Sequence, residues 1–207
     1  MKLKQWISAA AAGVLLVTSA FAASYTTQAD NLLRLGLFRG TENGYELEST
    51  FTRAQGATML VRLLGKEQEA LSSTTQGIFT DVPAEDWAAP YVEYCYQNGI
   101  TKGTSDTTYS PEDAMTGAQY LTLVLWALGY ENAEPENADI PAAEYGLVSS
   151  LTAREICQTE ELTRDTMVYI SYQALTVKDP YGVTLIEKLA QAKAIDTSIA
   201  RALGLIQ

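Results

Sequence analysis

The sequence predicts an all-α protein made of three copies of one helix–loop–helix unit, followed by a short helical tail. Two observations predict it. An apolar helical face recurs at a fixed distance after a threonine: Ala57, Leu60, Val61 and Leu64 after Thr52, Leu121, Val124, Leu125 and Leu128 after Thr116, and Val168, Ser171, Tyr172 and Leu175 after Thr163. Each set has the i, i+3, i+4, i+7 spacing of one helix face and begins five residues past its threonine. A glycine also lies 16 or 17 residues before each threonine, at Gly36, Gly99 and Gly146. A unit of this size cannot bury its own apolar face, so the three must pack together.

The chain opens with a secretory leader pattern over 1–22. Lys2 and Lys4 form the basic start, Ile7 to Val17 the apolar stretch, and Ala20-Phe21-Ala22 the small-x-small cleavage site. The apolar stretch is short for a membrane span. Removing the two lysines takes the net charge from −11 to −13. With no second apolar run, the mature protein is expected to be soluble outside the cytoplasmic membrane.

The first unit, 24–76, has a helical face at Ala29, Leu32 and Leu33 that stops at Gly36. A polar loop follows from Arg39-Gly40-Thr41 through Asn43-Gly44. Thr52 and Gln55 then stand in the capping-box relation ahead of the second helix, and Lys66 to Gln76 reads as a charged, then Ser/Thr-rich, linker. The middle unit, 77–137, contains Phe79-Thr-Asp81-Val82, Trp87-Ala88, Gly99-Ile100-Thr-Lys102-Gly103 and Tyr109-Ser-Pro111. Its first helix is expected from near Asp86, with Pro90 in the first turn and Trp87, Ala88, Tyr91, Val92 and Cys95 on the buried side. Thr116 and Gln119 cap its second helix. The third unit, 138–178, is the most eroded. Asp139-Ile140-Pro141 echoes Asp81-Val82-Pro83, Gly146 cuts the first helix short, and Thr166 stands where a capping box has Gln or Glu. In the tail, 179–207, Thr184 and Glu187 form another capping box, and a last helix is expected from Asp196 to near Gly204.

Composition narrows the function. Twenty-five acids against 14 basic residues argue against nucleic acid or an anionic membrane surface as partner. The chain has no histidine, which removes His-based triads and His-ligated zinc, and its two cysteines are too few for a Cys-rich metal site. Cys95 and Cys157 form either a disulfide of a secreted protein or two free thiols, Cys95 being a small core residue. No cofactor is expected. The adjacent acids Glu85 and Asp86 cannot flank a glycosidic bond at the separation hydrolysis needs.

The Phe79-x-Asp81-Val82, Trp87-Ala88, Gly99-Ile100-x-x-Gly103, Tyr109-x-Pro111 and Thr52-Arg53-Ala54-Gln55 elements resemble the S-layer homology domain, the wall-anchoring repeat of bacterial surface proteins. The resemblance covers about 24–176. It implies a pseudo-threefold, three-pronged helical bundle with ligand grooves between adjacent repeats. It also implies binding to secondary cell-wall polysaccharide, often pyruvylated, at the surface of a Gram-positive-type bacterium.

The residue chemistry is compatible. Arg53 and Arg164 follow helix-starting threonines, where a cation is slightly unfavourable for the helix but adds a bidentate fork to the free N–H donors that favour a carboxylate. The alternative is pairing with an acid such as Glu48 or Glu161. The candidate glycan-binding residues are Arg53, Gln55, Trp87, Lys102, Gly103 and Arg164. Lys102 would serve a groove shared with the first unit, and Trp87 either stacks on a sugar or joins the core. Gly117 replaces the motif arginine of the middle unit, and Asp165 puts a negative charge beside Arg164, so only the first motif reads as intact. The expected function is a non-catalytic anchor to wall glycan, with possible partners among other surface proteins. The competing reading is a secreted protein-interaction scaffold that has lost glycan binding.

Overall fold

A computed structural model describes residues 24–207; the leader pattern at 1–22 lies outside them. The described residues are all-α, with only isolated β-bridges between loops. The helices are α1 (Thr26–Arg34), α2 (Arg53–Leu63), α3 (Glu67–Ser72), α4 (Ala89–Gln97), α5 (Gly117–Ala127), α6 (Asp139–Glu144), α7 (Ser150–Cys157), α8 (Arg164–Ala174), α9 (Leu185–Gln191) and α10 (Thr197–Ala202). No described helix is long and apolar enough to cross a membrane.

The three threonines do the same job. Thr52, Thr116 and Thr163 are the N-caps of α2, α5 and α8, each accepting from the backbone N–H three residues on. In α2 and α5 the glutamine side chain returns the bond to the cap N–H; Thr166 does not, so α8 has half the motif. Such a cap contributes about 1 kcal/mol. Gly36, Gly99 and Gly146 all take positive φ, between +69° and +77°, where each first helix ends. In each, the next N–H reaches back to the carbonyl of Leu32, Cys95 or Ala142, the C-cap geometry that glycine permits.

At the centre the three helix starts close a ring. The residues before the caps, Phe51, Met115 and Leu162, are buried, and each bonds to the next through the backbone. Phe51 N–H donates to Leu162 O, Leu162 N–H to Met115 O, and Met115 N–H to Phe51 O, all at 2.8 Å. Inside the ring the Phe51 and Tyr120 rings meet edge to face, and the Tyr120 hydroxyl bonds to the Ser171 hydroxyl at 2.7 Å. Buried polar groups are thereby paired, and each bond fixes the orientation of one helix start relative to its neighbour.

Around this ring each long helix packs on the first helix of the following segment: α2 on α4, α5 on α6 and α7, and α8 back on α1. The predicted faces of α2, α5 and α8 are buried, apart from partly exposed Leu64 and Tyr172.

Several details depart from the sequence reading. The stretch 66–76 contains α3, which packs on α4 through buried Ala70. The third segment has an extra helix, α7, capped by Ser149. Trp87 precedes α4 and lies off its buried face, 55 % exposed, while Ala88, Tyr91, Val92 and Cys95 are buried as expected. The Asp-x-Pro echo is one of sequence only. The Asp81 carboxylate accepts from the N–H groups of Tyr109 and Ser110, whereas Asp139 opens α6 and pairs at 3.8 Å with Arg154. Both cysteines are free thiols, Cys95 buried and Cys157 half-buried.

Candidate functional site

Two grooves open beside the central ring, at the N-termini of α2 and α8. They are built from corresponding residues. In one, Arg53 at the start of α2 faces the Thr101-Lys102-Gly103-Thr104 turn and the α5 side chains Gln119, Thr122, Leu123 and Trp126. In the other, Arg164 at the start of α8 faces the Phe38-Arg39-Gly40-Thr41 turn and the α2 side chains Gln55, Thr58, Met59 and Arg62, with Trp87 at its edge. Counted from each glycine stop, Arg39-Gly40-Thr41 and Lys102-Gly103-Thr104 occupy the same positions. Counted from each capping threonine, Gln55 matches Gln119, Thr58 matches Thr122 and Met59 matches Leu123. The grooves hold about 300 Å³ and 140 Å³ respectively. The first reaches the lower end of the roughly 300–1,000 Å³ usual for small-ligand sites, and the second is a smaller cleft.

The two arginines are held alike. Arg53 Nε donates to Tyr109 O at 2.8 Å, and its guanidinium lies 4.6 Å from the Tyr109 ring centre. Arg164 Nε donates to Tyr45 O at 2.8 Å, and its guanidinium lies 5.5 Å from the Phe38 ring centre. Neither forms an ion pair among the described residues, so the alternative, pairing with Glu48 or Glu161, is not found there. Both residues are buried, yet no buried side-chain nitrogen or oxygen lacks a partner among the described residues. The Arg53 Nη atoms make no hydrogen bond there, so they reach solvent through the groove. A buried guanidinium with its Nε tied to a carbonyl is pre-oriented to receive a carboxylate or phosphate through its outer nitrogens. Burial lowers the Arg164 pKa, opposed by Glu46 and reinforced by the guanidinium of Arg62.

The remaining cations are fixed from below. Glu67 on α3 binds both Arg39 Nη2 at 2.6 Å and Arg62 Nε at 2.8 Å, and accepts from the Tyr91 hydroxyl at 3.1 Å. Burial raises the Glu67 pKa, but Arg62, Arg39 and the Tyr91 hydroxyl outweigh it and hold the carboxyl below its ordinary value. Lys102 Nζ sits 4.5 Å over the Trp126 ring and 3.6 Å from Glu134.

Of the residues singled out from sequence, Arg53, Lys102 and Gly103 meet in one groove, and Gln55, Trp87 and Arg164 in the other. Asp165 does not neutralise Arg164 as the sequence suggested. Its carboxylate turns away and accepts from Tyr25 N–H at 2.7 Å, at the start of α1. The Arg164 groove is therefore as complete as that of Arg53, and richer in cations. Sequence reasoning missed Arg39, Arg62, Gln119 and Trp126. Aligning the copies on glycine and threonine would have exposed Arg39 and Gln119, since they stand where Lys102 and Gln55 do. Asp86, weighed as one of a pair of acids, accepts from Ala88 N–H at 2.8 Å ahead of α4, a structural role.

At the third joint, Gly117 stands where the other two have an arginine. A Cβ added to Gly117 would lie 1.9 Å from Ile156 O, at the end of α7. The missing arginine and the extra helix are therefore one feature: α7 occupies the place where a side chain would stand.

These features describe an all-α bundle with two arginine-lined grooves beside its central ring. Residues 78–121 match the family model of the S-layer homology domain. It is 36% identical over 123 residues to the middle cell wall protein of Brevibacillus brevis, covering 57% of this chain and 12% of the relative. It is 29% identical over 189 residues to a cell surface protein of Thermoanaerobacter kivui, covering 86% of this chain and 24% of the relative. It is also 32% identical over 107 residues to an endoglucanase of a Bacillus species, covering 46% of this chain and 11% of the relative. The chain thus spans no more than a quarter of these relatives' lengths.

Proposed function

We propose that this protein is a non-catalytic module that anchors at the bacterial cell wall by binding an anionic secondary cell-wall polysaccharide, with carboxylate-bearing sugars such as pyruvyl ketals seated in the Arg53 and Arg164 grooves. The observation that carries this reading is the duplication: two grooves offer a buried guanidinium, a cation-glycine-threonine turn and a Gln/Thr helix face in matching positions. Segments 24–76 and 138–178 are read as further, diverged copies of the matched repeat, supported by the closed backbone ring and the three equivalent caps. The non-catalytic assignment is supported by relatives as differently named as a cell wall protein and an endoglucanase, both of which share this segment over a small part of their length. A leader at 1–22 fits export to the surface.

The test is sedimentation of residues 24–207 with purified wall sacculi, comparing native glycan, glycan freed of pyruvyl groups, and the variants Arg53→Ala, Arg164→Ala and their combination. Each single variant is expected to weaken binding and the double variant to abolish it. Wall binding that survives the double variant refutes the groove assignment. A wild-type chain that binds no wall material leaves the scaffold reading in its place.

A further inference from the structure

The correspondence between the two grooves fails at one helix position. Ten residues past the capping threonine, α2 carries Arg62 and α5 carries Trp126. We propose that this position sets the charge of the ligand each groove accepts: the Arg164 groove takes a dianionic sugar substituent of the phosphomonoester class, and the Arg53 groove a singly charged carboxylate. The proposal rests on the reading of both grooves as glycan sites and adds which anion each prefers.

The charges around each groove support the difference. In the Arg164 groove, three guanidiniums (Arg39, Arg62 and Arg164) face two carboxylates, Glu67 beneath and Glu46 nearby. Glu67 is shared between Arg39 and Arg62, so it braces both while neutralising only one charge. In the Arg53 groove, two cations face two carboxylates: Lys102 has Glu134 at 3.6 Å, and Arg53 feels Asp81. Trp126 further claims Lys102 across its ring and is itself fixed by donating Nε1–H to Ala133 O at 2.8 Å. The two grooves thus differ by one positive charge, and that charge is Arg62. A phosphomonoester carries about −1.5 to −2 near neutral pH and presents three acceptor oxygens, which suits converging guanidinium forks. A ketal carboxylate carries one charge and brings an apolar carbon frame, which suits an aromatic wall.

The tryptophans supply the readout. Residues 24–207 contain two, Trp87 at the edge of one groove and Trp126 in the other. Fluorotryptophan labelling gives one fluorine resonance per groove. An N-acetylhexosamine phosphomonoester and a pyruvyl-ketal N-acetylhexosamine would be titrated separately at neutral pH. The phosphomonoester is expected to shift the Trp87 resonance at about tenfold lower concentration than it shifts Trp126, a difference of about 1.4 kcal/mol. The pyruvyl sugar is expected to show no such preference for Trp87. Arg62→Gln should erase the phosphomonoester preference and leave the Trp126 titration unchanged; an unshifted unliganded spectrum checks its fold. Equal phosphomonoester midpoints in the wild type, or a preference that survives Arg62→Gln, would overturn the assignment while leaving both grooves as glycan sites. If neither probe moves either resonance, both the assignment and the glycan-site reading fall for these sugars.

Discussion

Gly117→Ala tests the claim that α7 closes the third joint. In an ordinary helix, alanine in place of glycine stabilises by about 0.5–1 kcal/mol. Here the added Cβ would meet Ile156 O at 1.9 Å, Ile156 C at 2.7 Å and Ile156 Cγ2 at 2.9 Å. Two of the three contacts are backbone atoms, which cannot swing aside, so α5 and α7 must separate. Such overpacking costs about 1–3 kcal/mol. The shift also strains the bond from Gly117 N–H to Thr159 O, 2.8 Å long, worth about 1 kcal/mol. The net loss of about 1–3.5 kcal/mol lowers Tm by roughly 2–14 °C for a chain of this size. Gly56→Ala is the control. Its Cβ would meet Met115 Cε at 2.6 Å and Sδ at 2.8 Å, the far end of a flexible side chain that can rotate away. Thermal unfolding followed by circular dichroism on residues 24–207 should separate the two variants clearly. If Gly117→Ala melts at or above the wild-type temperature, or together with Gly56→Ala, the joint is not closed as described.

Three other outcomes are expected. Burial raises the Asp165 pKa, with Glu48 adding to it and the Tyr25 N–H opposing, so the ionised carboxylate is disfavoured in the folded state. Asp165→Asn keeps an acceptor for Tyr25 and should raise Tm at neutral pH; because both states are protonated in acid, the gain should vanish below about pH 3.5, and a loss at neutral pH would contradict this. Glu67 has the opposite sign: its folded pKa lies below its unfolded value, so its contribution is present above about pH 4.3 and is lost as pH falls through the folded value. Wild-type Tm should therefore fall on acidification more steeply than that of Glu67→Gln, and parallel curves would refute the clamp. Burial raises both thiols, Cys157 to about 11, so a thiol reagent should find two free cysteines in denaturant but react with native Cys157 at least roughly a hundredfold more slowly than with free cysteine; fewer than two thiols in denaturant would indicate a disulfide.

The long helices were legible because their signals are local. Thr52 and Thr116 each bond with the glutamine three residues on, and the i, i+3, i+4, i+7 faces need no partner to be recognised. The tail was legible for the same reason: Thr184 and Glu187 cap α9, and Asp196 caps α10. Helix α3 was not legible, because six residues with no side-chain cap form a helix only where Ala70 packs against α4. The grooves were half legible. Arg53 and Arg164 announce themselves by following the capping threonines, but which turn faces which arginine depends on how segments dock. Trp87 and Arg164 are 77 positions apart in sequence and line one groove. No spacing rule within one copy links them.

The missing arginine of the third joint goes with a different backbone register there. Arg53 N–H donates to Asp113 O and Arg164 N–H to Ser49 O, each acceptor lying three residues before the next capping threonine. Ala54 and Asp165 then donate to Pro111 O and Leu47 O, each five residues before that threonine. At the third joint, Gly117 N–H donates instead to Thr159 O, four residues before Thr163. That one-residue difference comes with α7, whose end lies against the α5 start and fills the space a motif arginine would need. Restoring an arginine at 117 alone therefore cannot rebuild a third site, because its Cβ would already collide with Ile156 O. The loop must first lose α7 and regain the three-residue spacing. On the proposed reading, avidity for a repeating glycan would until then rest on two grooves in one bundle, and linked sites gain from effective concentration only when both can engage one chain.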